Sequence, residues 1–210
     1  MERTARRSSL ALAILALLYE APMHPYRMQQ LIKERGKDEV INVRQRASLY
    51  QTIDRLRRDG LIAVHGTTRA ENRPERTVYE LTEEGRETVL TWLREMLATP
   101  AREFPAFPAA VAYLPLLTPE DALRQLEKRE NAVAEELVRL DNLLRDEAMG
   151  LPRLFLLESE YLRAVLDAEL SWVRAIVADL RAGRITWSEE WLRAFSEPPA
   201  APDATERSEA

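Results

Sequence analysis

The chain has 210 residues, 46% hydrophobic and 31% charged, with a formal net charge of −5. That is enough apolar material for one or two small domains with a sizeable core. With no cysteine and only two histidines, His24 and His65, it excludes a disulfide framework, a thiolate nucleophile and a cysteine- or histidine-rich metal site. The charge is uneven along the chain: residues 1–97 carry a net +3 and residues 98–210 a net −8. A basic front and an acidic back suit a DNA-binding head with a partner-binding rear.

The first apolar run, Leu10–Tyr19, is too short to span a bilayer. It is closed by Glu20 and Pro22 with no small-residue cleavage site, so it reads as a core helix and the protein as cytoplasmic, without a membrane partner. Ser8 and Ser9 can cap that helix, and Leu10, Ile14, Leu17 and Leu18 share one face. A second helix follows His24-Pro25, with Pro25 in the favoured first turn and Gly36 as its C-cap. Its apolar pattern is Tyr26, Met28, Leu31 and Ile32. The spacing predicts a third helix over 47–58, with Leu49, Ile53 and Leu56 on the buried stripe. Its opposite face carries Ala47, Gln51, Asp54, Arg55 and Arg58, flanked by Ser48 and Tyr50. Gly60 closes it.

Two strand-like runs, Leu61–Val64 and Thr77–Leu81, enclose a polar segment, Gly66–Arg76, that contains Arg69, Arg73 and Arg76. This is a β-hairpin with a long basic tip. Thr82 caps a fourth helix, with Glu83 and Glu84 in its positive first turn.

Three helices followed by a two-stranded ribbon make a winged helix-turn-helix. Such a unit reads base edges in the major groove with short polar side chains. Gln51 can pair in bidentate fashion with adenine, and Arg46 or Arg55 with guanine or phosphate. Ala47 permits close approach, and the wing arginines suit phosphate contact or a narrow minor groove. The DNA-facing set is therefore Arg44, Arg46, Ala47, Ser48, Tyr50, Gln51, Thr52, Arg55, Arg69, Arg73, Arg76 and Tyr26. Tyr50 and Tyr26 each have a second reading as core residues.

Ala47-Ser48-Leu49-Tyr50, the block Leu56-Arg57-Arg58-Asp59-Gly60-Leu61-Ile62, and the run from Arg73 through Tyr79-Glu80-Leu81-Thr82 to Gly85 together resemble the PadR family of bacterial transcriptional regulators. The likeness covers about residues 8–97 and extends more loosely over the rear. Three positions depart from the family's habit. Ala47 and Pro25 stand where glycine is common, and Gln51 follows Tyr50 where proline is common. The resemblance implies dimerisation through C-terminal helices, an inverted-repeat operator, and in some relatives release by a flat aromatic effector bound near the dimer interface.

The rear half begins with a connector, residues 98–118, punctuated by Pro100, Pro105, Pro108 and Pro115. Phe104, Phe107, Val111, Tyr113 and Leu114 make it too apolar for a free linker. Thr118-Pro119-Glu120-Asp121 starts a helix running to about Glu147, with Leu126, Glu130, Val133, Leu137, Leu140 and Leu144 as its seam. A second long helix, about 153–182, has two apolar stripes. One holds Phe155, Leu162, Leu166, Leu170, Val173, Val177 and Leu180, and the other Leu154, Leu157, Tyr161, Ala164, Ala168 and Ala175. A helix apolar on two sides must touch two partners. The antiparallel helix supplies one, and a second subunit is the economical choice for the other, with Leu154, Leu157, Tyr161, Leu162, Ala164 and Ala168 at the interface. A short helix near 188–195 and a tail from Pro198, rich in alanine, proline and glutamate and expected to be disordered, complete the chain.

The fold class is thus mainly α with a small hairpin. Residues 1–97 form the DNA-binding domain, 98–118 the connector, 119–196 an antiparallel long-helix dimerisation domain and 197–210 the tail. The expected function is a DNA-binding regulator, a repressor acting as a homodimer on double-stranded DNA, needing no cofactor or metal. Trp92 is a candidate for stacking on a small aromatic effector, against a simpler role as a packing anchor. The opposing class is a winged helix used only for protein contact. An enzyme is excluded by the lack of a phosphate loop, nucleophile constellation or metal set. Adjacent carboxylates such as Glu135/Glu136 diverge by about 100° on a helix and do not converge as an acid/base pair.

Overall fold

The computed structural model describes residues 7–43, 46–68, 76–148 and 150–196. The tail expected to be disordered lies outside them. The chain divides into two compact units, one ending at Arg102 and the other starting at Glu103.

In the first unit, α1 (Ser9–Glu20) is capped by Ser8, whose hydroxyl accepts from the Ala11 N–H. α2 (Pro25–Glu34) starts at His24 and is followed by Gly36 in the left-handed region at φ 64°. α3 (Arg46–Arg58) ends in a Schellman turn. The Leu61 N–H reaches back to the Leu56 carbonyl, the Gly60 N–H bonds that of Arg57, and Gly60 sits at φ 75°. Ile14, Leu15, Met28, Ile53, Leu56 and Ile62 are the largest sealed side chains of the core these helices share with the hairpin.

β1 (Ile62–Thr68) pairs antiparallel with β2 (Arg76–Leu81), from Ile62 opposite Leu81 to Thr68 opposite Arg76. The sequence reading ended β1 at Val64. The strand runs on because His65 bulges out between the Val64–Tyr79 and Gly66–Val78 pairs, and the ladder resumes beyond it. Met23 exchanges both backbone hydrogen bonds with Tyr79, so the turn before α2 is stitched to the free edge of β2.

The corner from β2 into α4 (Glu83–Ala98) explains the Thr-x-x-Gly spacing. The Thr82 hydroxyl accepts from the Gly85 N–H at 3.0 Å and donates to the Gly60 carbonyl at 2.8 Å, tying the start of α4 to the end of α3. Gly85 is buried, and a Cβ placed there would lie 2.0 Å from the Leu61 carbonyl oxygen. Only a residue without a side chain lets the helix approach so closely.

In the second unit the connector is not irregular throughout. It forms α5 (Ala106–Ala112) and a 3₁₀ turn, Leu114–Leu116. Phe107 packs under the long helices: the Arg129 guanidinium lies 3.5 Å from its ring centroid, and Trp172 meets it edge-on at 5.8 Å. α6 (Pro119–Ala148) and α7 (Leu157–Arg181) run antiparallel. Leu126 and Val133 on α6 are buried, as are Leu170, Val173, Val177 and Leu180 on α7. Glu130, the polar break in the α6 seam, turns to Arg174 of α7 at 3.1 Å. Arg129–Glu169, Arg163–Asp141 and Arg181–Glu127 continue that ladder and fix the register. Phe155 does not extend the buried stripe of α7. It falls in a 3₁₀ turn, Arg153–Phe155, before the helix begins, and is half exposed while Leu156 takes the inward position. α8 (Glu189–Ser196) closes the described chain.

Candidate nucleic-acid interface

The outer face of α3 is polar and open. Ala47, Gln51 and Asp54 are exposed, and Ser48 and Thr52 are half-buried. Tyr50 is 52% exposed, so it does not belong to the core formed by Leu49 and Ile53. The Thr52 hydroxyl donates to the Ser48 carbonyl at 2.7 Å, which leaves its methyl group and a lone pair for outside contact. Arg55 is half-buried. Its Nε and Nη2 are sealed from solvent and have no hydrogen-bond partner among the described residues. Buried donors without acceptors are costly. The Arg44, Arg69 and Arg73 positions lie outside the described residues, as does the side chain of Arg46.

The start of α2 and the wing are joined by an aromatic–cation stack. Tyr26 is 47% exposed. The Arg76 guanidinium of β2 lies 5.2 Å from its ring centroid, and the His24 ring stacks at 6.2 Å. Tyr26 and Arg76, distant in sequence, thus form one surface with a cation over a phenol. His24 caps α2: its Nδ1 accepts from the Arg27 N–H at 3.0 Å.

Burial, then the cations Arg76 and Arg27, push the His24 imidazole below its ordinary pKa. Protonation would also remove the lone pair that caps α2. The neutral form therefore stabilises the fold. That contribution is complete above the unfolded histidine pKa of about 6.5 and is lost as pH falls below it toward the depressed folded value. Thermal unfolding at pH 7.5 and 5.5 should show a larger acid loss for wild type than for His24→Asn, which keeps a capping acceptor but cannot titrate. Equal losses would remove His24 from the account.

Trp92 is 6% exposed and belongs to the core of this unit, where it presents almost no surface to a ligand. Among the described residues no group of three or more histidines and carboxylates is placed to hold a metal, and no helix is long and apolar enough to cross a membrane.

A helix-turn-helix with an open polar third helix, backed by a hairpin whose loop end carries a stacked arginine, has the build of a winged-helix DNA-binding unit. Residues 14–90 match the model of the Transcriptional regulator PadR-like family. The match lies within the winged-helix unit and makes that unit similar to the domain of a family of transcriptional regulators. The fold of the chain is similar to that of Bacillus subtilis PadR solved in complex with operator DNA, at 19% identity and a TM-score of 0.67, over 82% of this chain and 99% of that one. The same protein in complex with p-coumaric acid matches at 18% identity and a TM-score of 0.65, over 82% and 98%. The virulence activator AphA of Vibrio cholerae matches at 18% and 0.64, over 83% and 99%. No curated protein matches the sequence.

The sequence reading missed the tie between Tyr26 and Arg76, because nothing in either segment's periodicity says that the start of α2 faces β2. The Met23–Tyr79 bridge creates that neighbourhood.

Proposed function

We propose that this protein is a cytoplasmic repressor that binds an inverted-repeat operator as a homodimer, with α3 in the major groove and the wing on the backbone. The observation that carries the reading is the open polar face of α3, where Ala47, Gln51 and Asp54 stand exposed. Tyr26 with Arg76 over its ring offers a backbone contact alongside. Arg44, Arg46, Arg69 and Arg73 belong to the same surface in this reading. The operator complex of the B. subtilis relative supports the mode of binding.

Dimerisation is supported by the second stripe of α7 and the turn before it. Leu154 is 70% exposed, Tyr161 69% and Leu157 46%, and Ala164 and Ala168 are exposed between α7's polar positions. Leu162 is half-buried at the edge of that stripe. An apolar row left open along a long helix is what an isologous interface needs. The p-coumaric acid complex of the B. subtilis protein supports extending the reading to release by a small aromatic effector.

Two substitutions separate base reading from backbone grip. Gln51→Ala should cost about 1–3 kcal/mol of discrimination between operator and random duplex. Arg55→Ala should weaken both duplexes by about tenfold, the worth of one charge-assisted hydrogen bond. An equal loss on both duplexes for Gln51→Ala would remove it from base readout, and unchanged affinity for Arg55→Ala would return that side chain to a structural role.

A further inference from the structure

A groove of about 700 Å³ opens between the start of α2 and the wing, lined by Pro22, Met23, His24, Arg27, His65, Gly66, Thr67 and Val78. Both histidines of the chain face it, although 41 residues apart in sequence. It is large enough for a small organic molecule and too large for a lone inorganic ion.

Its wall combines hydrogen-bond donors with apolar surface. With Nδ1 of His24 accepting from the Arg27 N–H, the proton of the neutral ring sits on Nε2, which is left as a donor. His65 stands in the β-bulge with Nδ1 2.7 Å from Glu80 Oε2, so that nitrogen serves the carboxylate and Nε2 is left over. Arg27 gives Nη1 to both carboxylate oxygens of Glu34, at 3.2 and 3.0 Å, and its other guanidinium donors meet no acceptor among the described residues. No carboxylate is among the lining residues, whereas Pro22, Met23, Val78 and the bare Gly66 supply apolar surface.

We propose that this groove binds a small organic anion, its carboxylate taken by Arg27 and the His24 Nε2–H and its apolar body laid over Val78 and Gly66. Donors set in an apolar trough favour a molecule that is anionic at one end and apolar at the other. The site lies wholly within the winged-helix unit and does not depend on the second subunit. Through His24 it touches the Tyr26–Arg76 stack, so an occupant would bear on the surface assigned above to DNA. That consequence, unlike the site itself, rests on the DNA-binding reading.

Gly66 gives a clean test. Its φ is not left-handed, and a Cβ there meets nothing within 4 Å, so Gly66→Leu adds bulk to the lining without strain. Because the chain has two histidines, their ring nitrogen NMR signals report the groove directly in the full-length protein. Benzoate should shift both saturably, benzyl alcohol and inorganic phosphate much less. Arg27→Gln should weaken benzoate by about tenfold, and Gly66→Leu should abolish the shifts while leaving both signals dispersed as in a folded protein. Shifts that never saturate, that persist in Gly66→Leu, or that phosphate reproduces in full would overturn the proposal. None of these readouts uses DNA, so failure of the operator reading would appear separately.

Discussion

Replacing Leu157 and Tyr161 together by glutamate should turn the protein into a monomer and weaken operator binding by about a hundredfold or more. Both side chains are exposed on the isolated chain, so the change costs its own fold little. In a dimer built on the α7 stripe, each copy would have to bury two carboxylates against an apolar surface, and uncompensated buried charge costs several kcal/mol. A single winged helix spans only a few base pairs, and specific affinity comes from coupling two half-sites. Sedimentation velocity measures the first consequence and anisotropy on operator duplex the second. A variant that remained dimeric would move the interface elsewhere. A monomer with undiminished operator affinity would mean that the half-sites are not coupled through α7.

The other large effect is predicted for stability. Gly85→Ala should destabilise the winged-helix unit by about 3 kcal/mol, at the upper end of what overpacking costs. The added methyl would fall 2.0 Å from the Leu61 carbonyl oxygen and 2.9 Å from Leu81 Cδ1. The Leu81 side chain can rotate away, but the carbonyl cannot. It belongs to backbone fixed by the Schellman turn on one side, and it accepts the Thr82 N–H at 3.2 Å on the other. Moving α4 outward would break the Thr82 bridge to Gly60 and loosen Val89 and Trp92 from the core. For a unit of this size the loss corresponds to a fall in Tm of about 10 °C or more. A fall of only a degree or two would show that the corner relaxes and that the glycine is not required by contact. Thr82→Val offers a contrast, since it keeps the volume and loses both hydroxyl bonds, at a cost of about 1–2 kcal/mol.

Much of this architecture was legible because local signals agreed with one another. Ser8, Pro25, Gly36, Gly60 and Thr82 mark helix ends by capping chemistry, and each stands at or next to an observed boundary. The seams of α6 and α7 were readable from spacings of three and four, because antiparallel helices bury whichever stripe repeats. What stayed hidden depends on register. The bulge at His65 could not be read from a strand pattern, since the extra residue is defined only by what Val64 and Gly66 face on β2. Neither could the bridge from Met23 to Tyr79, which gathers His24, Tyr26 and Arg76 on one surface. Phe155 was placed on the buried stripe by counting back through a helix that does not begin until Leu157. Of the expected DNA-facing set, the α3 face could be named from its helical wheel. That the Arg55 donors meet no acceptor among the described residues is a three-dimensional fact with no trace in the sequence.

The repressor function proposed for this regulator depends on the α3 and wing surface reading DNA. The most direct measurement is the affinity of the full-length protein for a duplex from the region upstream of its own gene, beside a shuffled duplex of equal composition, over a series of salt concentrations. The upstream duplex should bind at least about a thousandfold more tightly, and log affinity should fall linearly with log salt at a slope of about −0.9 for each phosphate neutralised. Equal affinity for the two duplexes, or binding insensitive to salt, would contradict sequence-specific recognition by this winged helix.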